Sequence, residues 1–360
     1  IIPILIVPYY SVIGGWVIKY LIEYFAGHSK TLAGDAYFTT FISNGWSTEI
    51  CFIIFTLFTL GIIYAGVRNG IERVSKFMMP ILIVLSLIIA VYSVTRPGAI
   101  EGVKYFLVPN FDHFSWMTVV SAMGQMFYSL SIAMGILITF GSYMKKDTSI
   151  EKSTENVEIF DTAIAIMAGL MIIPAVFAFS GGNAETLKSG PALMFITIPK
   201  VFANMGFGTA IGVVFFLLVL FAAVTSSIAL TESAVSTFED ELHWSRKKST
   251  VFMGMVMLLL GTLSCLGYGP LANFKILGMQ FLDFFDFITN SVMMPIAAIA
   301  TCLLVSKVVG VDKIEEEIKK DGQAFRRKKI FCFMIKYLCP LFAAIILISS
   351  VANAFGIITM

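Results

Sequence analysis

The chain has 360 residues, 58% of them hydrophobic and only 13% charged, with a mean hydropathy of +0.88. No soluble domain of this size needs so much apolar material, which excludes the soluble classes and leaves a polytopic membrane protein, expected in the cell membrane. The net charge of +2 says nothing by itself about nucleic acid, and no nucleic-acid partner is expected.

Hydropathy predicts nine spans: 1–26, 48–66, 77–95, 116–143, 158–180, 207–236, 250–268, 281–306 and 331–355. The first span opens at Ile1 without a basic leader, so the chain reads as a piece of a longer protein begun in mid-fold. Within it, IVPYYSVIGGW places Tyr9 and Tyr10 beside Pro8, Gly14 and Gly15. These are either interfacial aromatics or, given the close helix packing that glycines allow, part of an interior site. Seventeen of the 25 basic residues fall in alternate loops: Arg68–Lys76, Lys145–Lys152, Arg246–Lys248 and Lys307–Lys329. The positive-inside rule makes these loops cytoplasmic.

The span 116–143, WMTVVSAMGQMFYSLSIAMGILITFGSY, is too long and too polar for a plain membrane helix. At ~1.5 Å per residue it would reach about 42 Å, against a hydrocarbon core of ~30 Å. Gly124, Gln125, Ser129, Ser131 and Gly135 occupy its middle, where lipid favours Leu or Val. The pattern predicts a helix broken near Ser129–Gly135, its freed backbone groups available to a ligand.

Asp161 opens the next span at membrane depth, either as a functional acid or as a helix-N-terminal carboxylate favoured by the macrodipole. The outer loop 181–206, with patches of apolar residues around Gly190–Pro191 and Pro199, reads as a re-entrant or helical lid. In LFAAVTSSIAL, Ala222, Thr225 and Ser226 share a helix face by their spacing of three and four. Small residues there pack helices closely, or offer oxygens to a monovalent cation such as sodium. Glu232 is buried enough to need a partner. Asp286 reads as a helix cap, and 313–329 as a solvated helix and turn.

The cysteines at 51, 265, 302, 332 and 339 lack metal-type spacing, and their odd number argues against a disulfide framework. His28, His113 and His243 lie far apart. With no nucleophile–base pair, metal cluster or phosphate loop in the sequence, enzymatic activity is not expected.

GQMFYSLSIAMG, AAVTSSIAL followed by FEDELHWSRKK, GVRNGIERVSKFMMP and RPGAIEGVKYFLVPNF together resemble the neurotransmitter:sodium symporter family, most closely its bacterial amino-acid transporters. The resemblance runs in order along essentially the whole chain. It implies one transporter domain over 1–360, an all-α five-plus-five inverted repeat with broken helices at its centre, and a missing pair of helices before Ile1. It further implies that Ser129 and Asp161 are ligands of one sodium site, and Ala222, Thr225 and Ser226 of a second. Tyr10 would contact the substrate carboxylate. Ile6, Tyr128, Ser129, Ser131, Met134, Ser226 and Leu230 would bind substrate, with Tyr128 as lid. Asp286 would serve the outer gate, Tyr143 and Asp240 the inner gate, and Glu232 would lie beside it.

Asp161 stands where many members of that family carry Asn, and Ala165 where chloride-dependent ones carry Ser or Thr. A fixed carboxylate supplies the negative charge that balances sodium, so chloride is not expected to be required. The expected activity is sodium-coupled symport of an amino acid, hydrophobic by its pocket walls. Two rival readings are a proton-coupled or exchange transporter on the same fold and a non-transporting membrane sensor.

Overall fold

The structure is a computed structural model that describes residues 1–183, 186–187, 190–320 and 324–356. Parts of the outer loop, including Lys188, and of the cytoplasmic turn within 313–329 therefore lie outside the described residues. Among the described residues, eight continuous helices are long and apolar enough to cross a membrane. They are α1 (Ile2–Phe25), α2 (Gly45–Tyr64), α3 (Val67–Val94), α6 (Ile150–Ser180), α7 (Gly208–Leu242), α8 (Arg246–Leu266), α9 (Phe281–Val309) and α10 (Lys328–Ala354). The ninth expected span is present in two pieces, α4 (Trp116–Ser129) and α5 (Ile136–Ser142). The protein is thus an all-α, multi-pass membrane protein with a discontinuous fourth span.

Three helices outrun their apolar stretches. α3 begins at Val67 with a π-helical turn that follows Gly66 at φ +93°, ten residues before the hydropathy boundary at 77. α6 begins at Ile150 through the polar run around Glu151, Glu155 and Glu158. Arg327 ion-pairs with Glu155 at 3.1 Å and with Glu158 at 3.4 Å, which gives that overhang a partner. α7 runs on to Leu242. Hydropathy tracks only the part of a helix that faces lipid, whereas backbone hydrogen bonding continues into water.

Chain contacts divide the molecule into two compact units: Ile1–Ile6, Phe111–Thr162 and Asp283–Met360 form the first, Val7–Asn110 and Ala163–Leu282 the second. The second is built on rings set against glycines. Trp16, Phe38, Phe195 and Tyr20 meet at centroid distances of 5.1 to 5.7 Å, and the Tyr20 hydroxyl donates to the Phe195 carbonyl at 2.7 Å. Phe195 belongs to the helical stretch Gly190–Ala203 of the outer loop, so the helical part of that loop is anchored in the core. A Cβ on Gly15 would stand 2.7 Å from the Phe52 backbone nitrogen, and one on Gly14 2.5 Å from the Phe55 ring. These are close approaches that only glycine permits. Tyr9 is buried, which removes its reading as an interfacial aromatic.

Candidate functional site

The break in the fourth span has a definite backbone construction. α4 starts on a capping box: the Ser115 hydroxyl accepts from the Thr118 N–H at 3.3 Å, and the Thr118 hydroxyl accepts from the Ser115 N–H at 3.2 Å. It ends after Ser129 in a Schellman arrangement. The Ile132 N–H donates to the Phe127 carbonyl and the Ser131 N–H to the Tyr128 carbonyl, each at 3.0 Å. Ser131 takes the left-handed position usually given to glycine, at φ +54°; Ala133 follows at φ +63° and Gly135 at φ +80°. Each non-glycine residue there costs roughly 1–2 kcal/mol of backbone strain. The chain holds two strained residues in the middle of a membrane span, where an unbroken helix would be cheaper.

In the first unit the Ser129 hydroxyl donates to Asp161 Oδ1 at 2.6 Å, tying the end of α4 to α6. Asp161 lies eleven residues inside α6, so the reading of it as a helix-N-terminal acid is corrected: the helix starts at Ile150. Tyr128, Ser131 and Ile132 are half-buried and Met134 is buried beside the break. Tyr143 caps α5 and packs edge-on against Phe140. Asp286 sits inside the continuous α9 and accepts from the Asn290 amide at 2.6 Å. Its side chain caps no helix, which corrects that expectation.

In the second unit the hydroxyls of Tyr10 and Ser226 are hydrogen-bonded to each other. The Thr225 hydroxyl donates within α7 to the carbonyls of Phe221 and Ala222, both at 3.0 Å. Its proton is spent on the helix, which leaves its oxygen lone pairs as acceptors. Next to this turn, the Thr59 hydroxyl of α2 donates to the Ser227 hydroxyl at 3.2 Å. Leu230 is buried, as is Ile6 of the first unit. These donors are neutral hydroxyl and carbonyl oxygens in one unit and a serine–carboxylate pair in the other, the hard-oxygen chemistry that suits an alkali cation.

Glu232 is fully buried and finds the partner its depth requires. Arg246 at the start of α8 holds it with a two-pronged ion pair, Nη1 to Oε1 at 3.0 Å and Nη2 to Oε2 at 2.5 Å. Arg246 also donates through Nε to the Ile63 carbonyl at 2.9 Å and reaches Glu239 at 3.5 Å. Asp240 stands exposed one residue beyond Glu239. Sequence reasoning counted Arg246 only among the charges that orient the chain. A basic residue opening the helix right after one with a buried acid was the available signal. The five cysteines are free thiols, and Cys51, Cys265 and Cys302 are buried.

A model of the Sodium:neurotransmitter symporter family matches residues 22–357. The sodium-dependent transporter YhdH of Bacillus subtilis (strain 168) is 32% identical over 358 residues, covering 99% of this chain and 78% of that protein. A sodium-dependent transporter of Haemophilus influenzae is 30% identical over 356 residues, covering 96% and 76%. Among solved structures, MhsT in complex with L-phenylalanine superposes with a TM-score of 0.84 at 32% identity, covering 97% of this chain and 79% of MhsT.

Proposed function

The chain belongs to the sodium:neurotransmitter symporter family, and from that premise we propose that it couples inward sodium flow to the uptake of an amino acid. The observation that carries the reading is the Ser129–Asp161 contact at the end of a helix broken at membrane depth. Such a break is worth its strain only where the freed groups hold something. Ser129 and Asp161 hold one sodium ion through hydroxyl and carboxylate oxygens. Ala222, Thr225 and Ser226 hold a second through a carbonyl and two hydroxyls.

Tyr10 receives the substrate carboxylate by giving up its bond to Ser226. Tyr128 closes over the substrate, and Ile6, Ser131, Met134 and Leu230 contact it. A hydrophobic amino acid fits these walls, and MhsT was solved with L-phenylalanine. Asp286 serves the outer gate; Tyr143 and Asp240, with Glu232 about two turns before Asp240 on α7, serve the inner one. The two units work as one transport domain. Sodium and substrate each strengthen the other's binding by the same factor, as linkage requires. The Asp161 carboxylate balances the sodium charge, so chloride is not needed.

The test is uptake of labelled L-phenylalanine by the full-length protein in proteoliposomes. Uptake is expected to need a sodium gradient, to stop when choline replaces sodium, and to continue when gluconate replaces chloride. Asp161→Asn is expected to raise the sodium concentration for half-maximal uptake at least tenfold and to make what remains chloride-sensitive. Unchanged sodium dependence in that variant removes Asp161 from the ion site.

A further inference from the structure

Away from the candidate transport residues, the second unit carries a groove of about 370 Å³ between α2, α3 and α7. Its walls are apolar: Phe58 of α2, Val74 and Phe77 of α3, Phe221 and Val224 of α7. Phe58 and Phe77 are 54% and 66% exposed, so the groove is open along helices that cross the bilayer. One cation stands in it. Arg73 lines the same groove and shares a face of α3 with Phe77, one helical turn further on. Arg73 is exposed and enters no hydrogen bond or ion pair among the described residues, whereas nearby Lys76 is taken by Glu72 at 2.6 Å. Arg73 lies at the end of α3 that the basic loops mark as cytoplasmic, with Arg68 one turn before it.

We infer that this groove is a site for an anionic phospholipid of the inner leaflet. An acyl chain lies along Phe58, Phe77 and Phe221 while the headgroup phosphate meets Arg73. The occupant must be apolar along its length, anionic at one end and delivered from the cytoplasmic leaflet, and an anionic lipid combines all three. Arg73 also suits the role by its fork of donors, which matches a phosphate. The site is distinct from the transport residues but touches their support. The Phe221 carbonyl accepts the Thr225 hydroxyl at 3.0 Å, so the chain packs on the turn that carries Thr225.

The experiment is native mass spectrometry of the full-length protein titrated with phosphatidylglycerol and with phosphatidylcholine of the same acyl chains. Thermal unfolding checks that each variant is folded. The wild type is expected to retain phosphatidylglycerol about fivefold more tightly. Arg73→Gln is expected to erase that preference and leave phosphatidylcholine unchanged. Val74→Trp, which fills the groove, is expected to weaken both lipids with Arg73 intact. Lys76→Gln, a cation already paired, is expected to leave the preference in place. Equal retention of the two lipids by the wild type overturns the proposal, as does an Arg73→Gln variant that behaves like it. So does loss of the preference in Lys76→Gln, which would make it an effect of diffuse surface charge. A structure of the full-length protein with a segment of its own chain in the groove would overturn it too.

Discussion

The helix pair α4–α5 and the helix α7 carry candidate ion ligands in the two units, yet they are made in opposite ways. No residue of α4 or α5 is buried, and the link between them holds Ser131 and Ala133 at positive φ. α7 buries seventeen residues along 35 and runs without interruption through Thr225 and Ser226. Around it, rings from distant segments stack on one another: Tyr20 and Tyr24 on Phe216, at 5.2 and 5.3 Å. One element presents oxygens by unwinding its backbone; the other presents them from side chains on an intact scaffold. Strain concentrated in a lightly buried link leaves that link easy to rearrange, while a helix buried along its length resists change.

The comparison is broken most severely at the buried ion pair of the scaffold. Arg246→Met leaves Glu232 as an uncompensated charge at zero exposure and is expected to cost about 3–5 kcal/mol. Thermal unfolding of the purified protein measures this. Pairing the change with Glu232→Gln should recover most of the loss, because the stranded charge and not the missing bridge causes it.

A smaller effect sharpens the same contrast with glycines. Gly15→Ala in α1 drives a Cβ to 2.7 Å from the Phe52 backbone nitrogen and 2.8 Å from the Cys51 carbonyl carbon. Backbone cannot swing aside as a side-chain tip can, so about 1–3 kcal/mol of stability is expected to be lost. Gly124→Ala in α4 meets nothing within 4 Å and is expected to gain about 0.5–1 kcal/mol from helix propensity. Equal losses at both positions would mean that α4 is as tightly seated as the scaffold.

The sequence made some of this visible and hid the rest for identifiable reasons. The break near Ser129–Gly135 was legible because polar and small residues at mid-span violate what lipid permits. That Ser131 and Ala133, rather than a glycine, would bear the left-handed turns was not legible, since local preference points the other way. Asp161 was visible as an acid at membrane depth. Its contact with Ser129, 32 residues earlier, is tertiary, and the N-terminal extension of α6 that settles its position is polar and invisible to hydropathy. The short helices Ser29–Leu32 and Tyr37–Ser43 escaped because 4 and 7 residues are too few to register on the scale of a membrane span. The core through Trp16, Phe38, Phe195 and Phe216 joins segments up to 200 residues apart, which no local pattern records.

The smallest expected effect concerns how each unit uses charge. The second unit buries its Glu232–Arg246 pair, whereas the first carries ion pairs at the cytoplasmic surface. There Glu315 of the helix Val311–Lys319 meets Lys319 at 2.8 Å and also Lys328. The hydrogen bonds from Lys319 and Lys328 hold the Glu315 carboxyl below its ordinary range. A carboxyl lowered on folding stabilises the folded state above its unfolded value of about 4.3 and loses that contribution as pH falls through the lowered folded value. Glu315→Gln is therefore expected to lower the unfolding temperature slightly at neutral pH and to reduce its fall below about pH 4.3. Raising the salt concentration should erase the neutral-pH difference, because exposed pairs are screened. The penalty of Arg246→Met should persist at the same salt, because water and counterions do not reach Glu232. If salt removed both effects alike, the buried pair would be accessible, and the contrast between a yielding first unit and a sealed second one would fail at its strongest point.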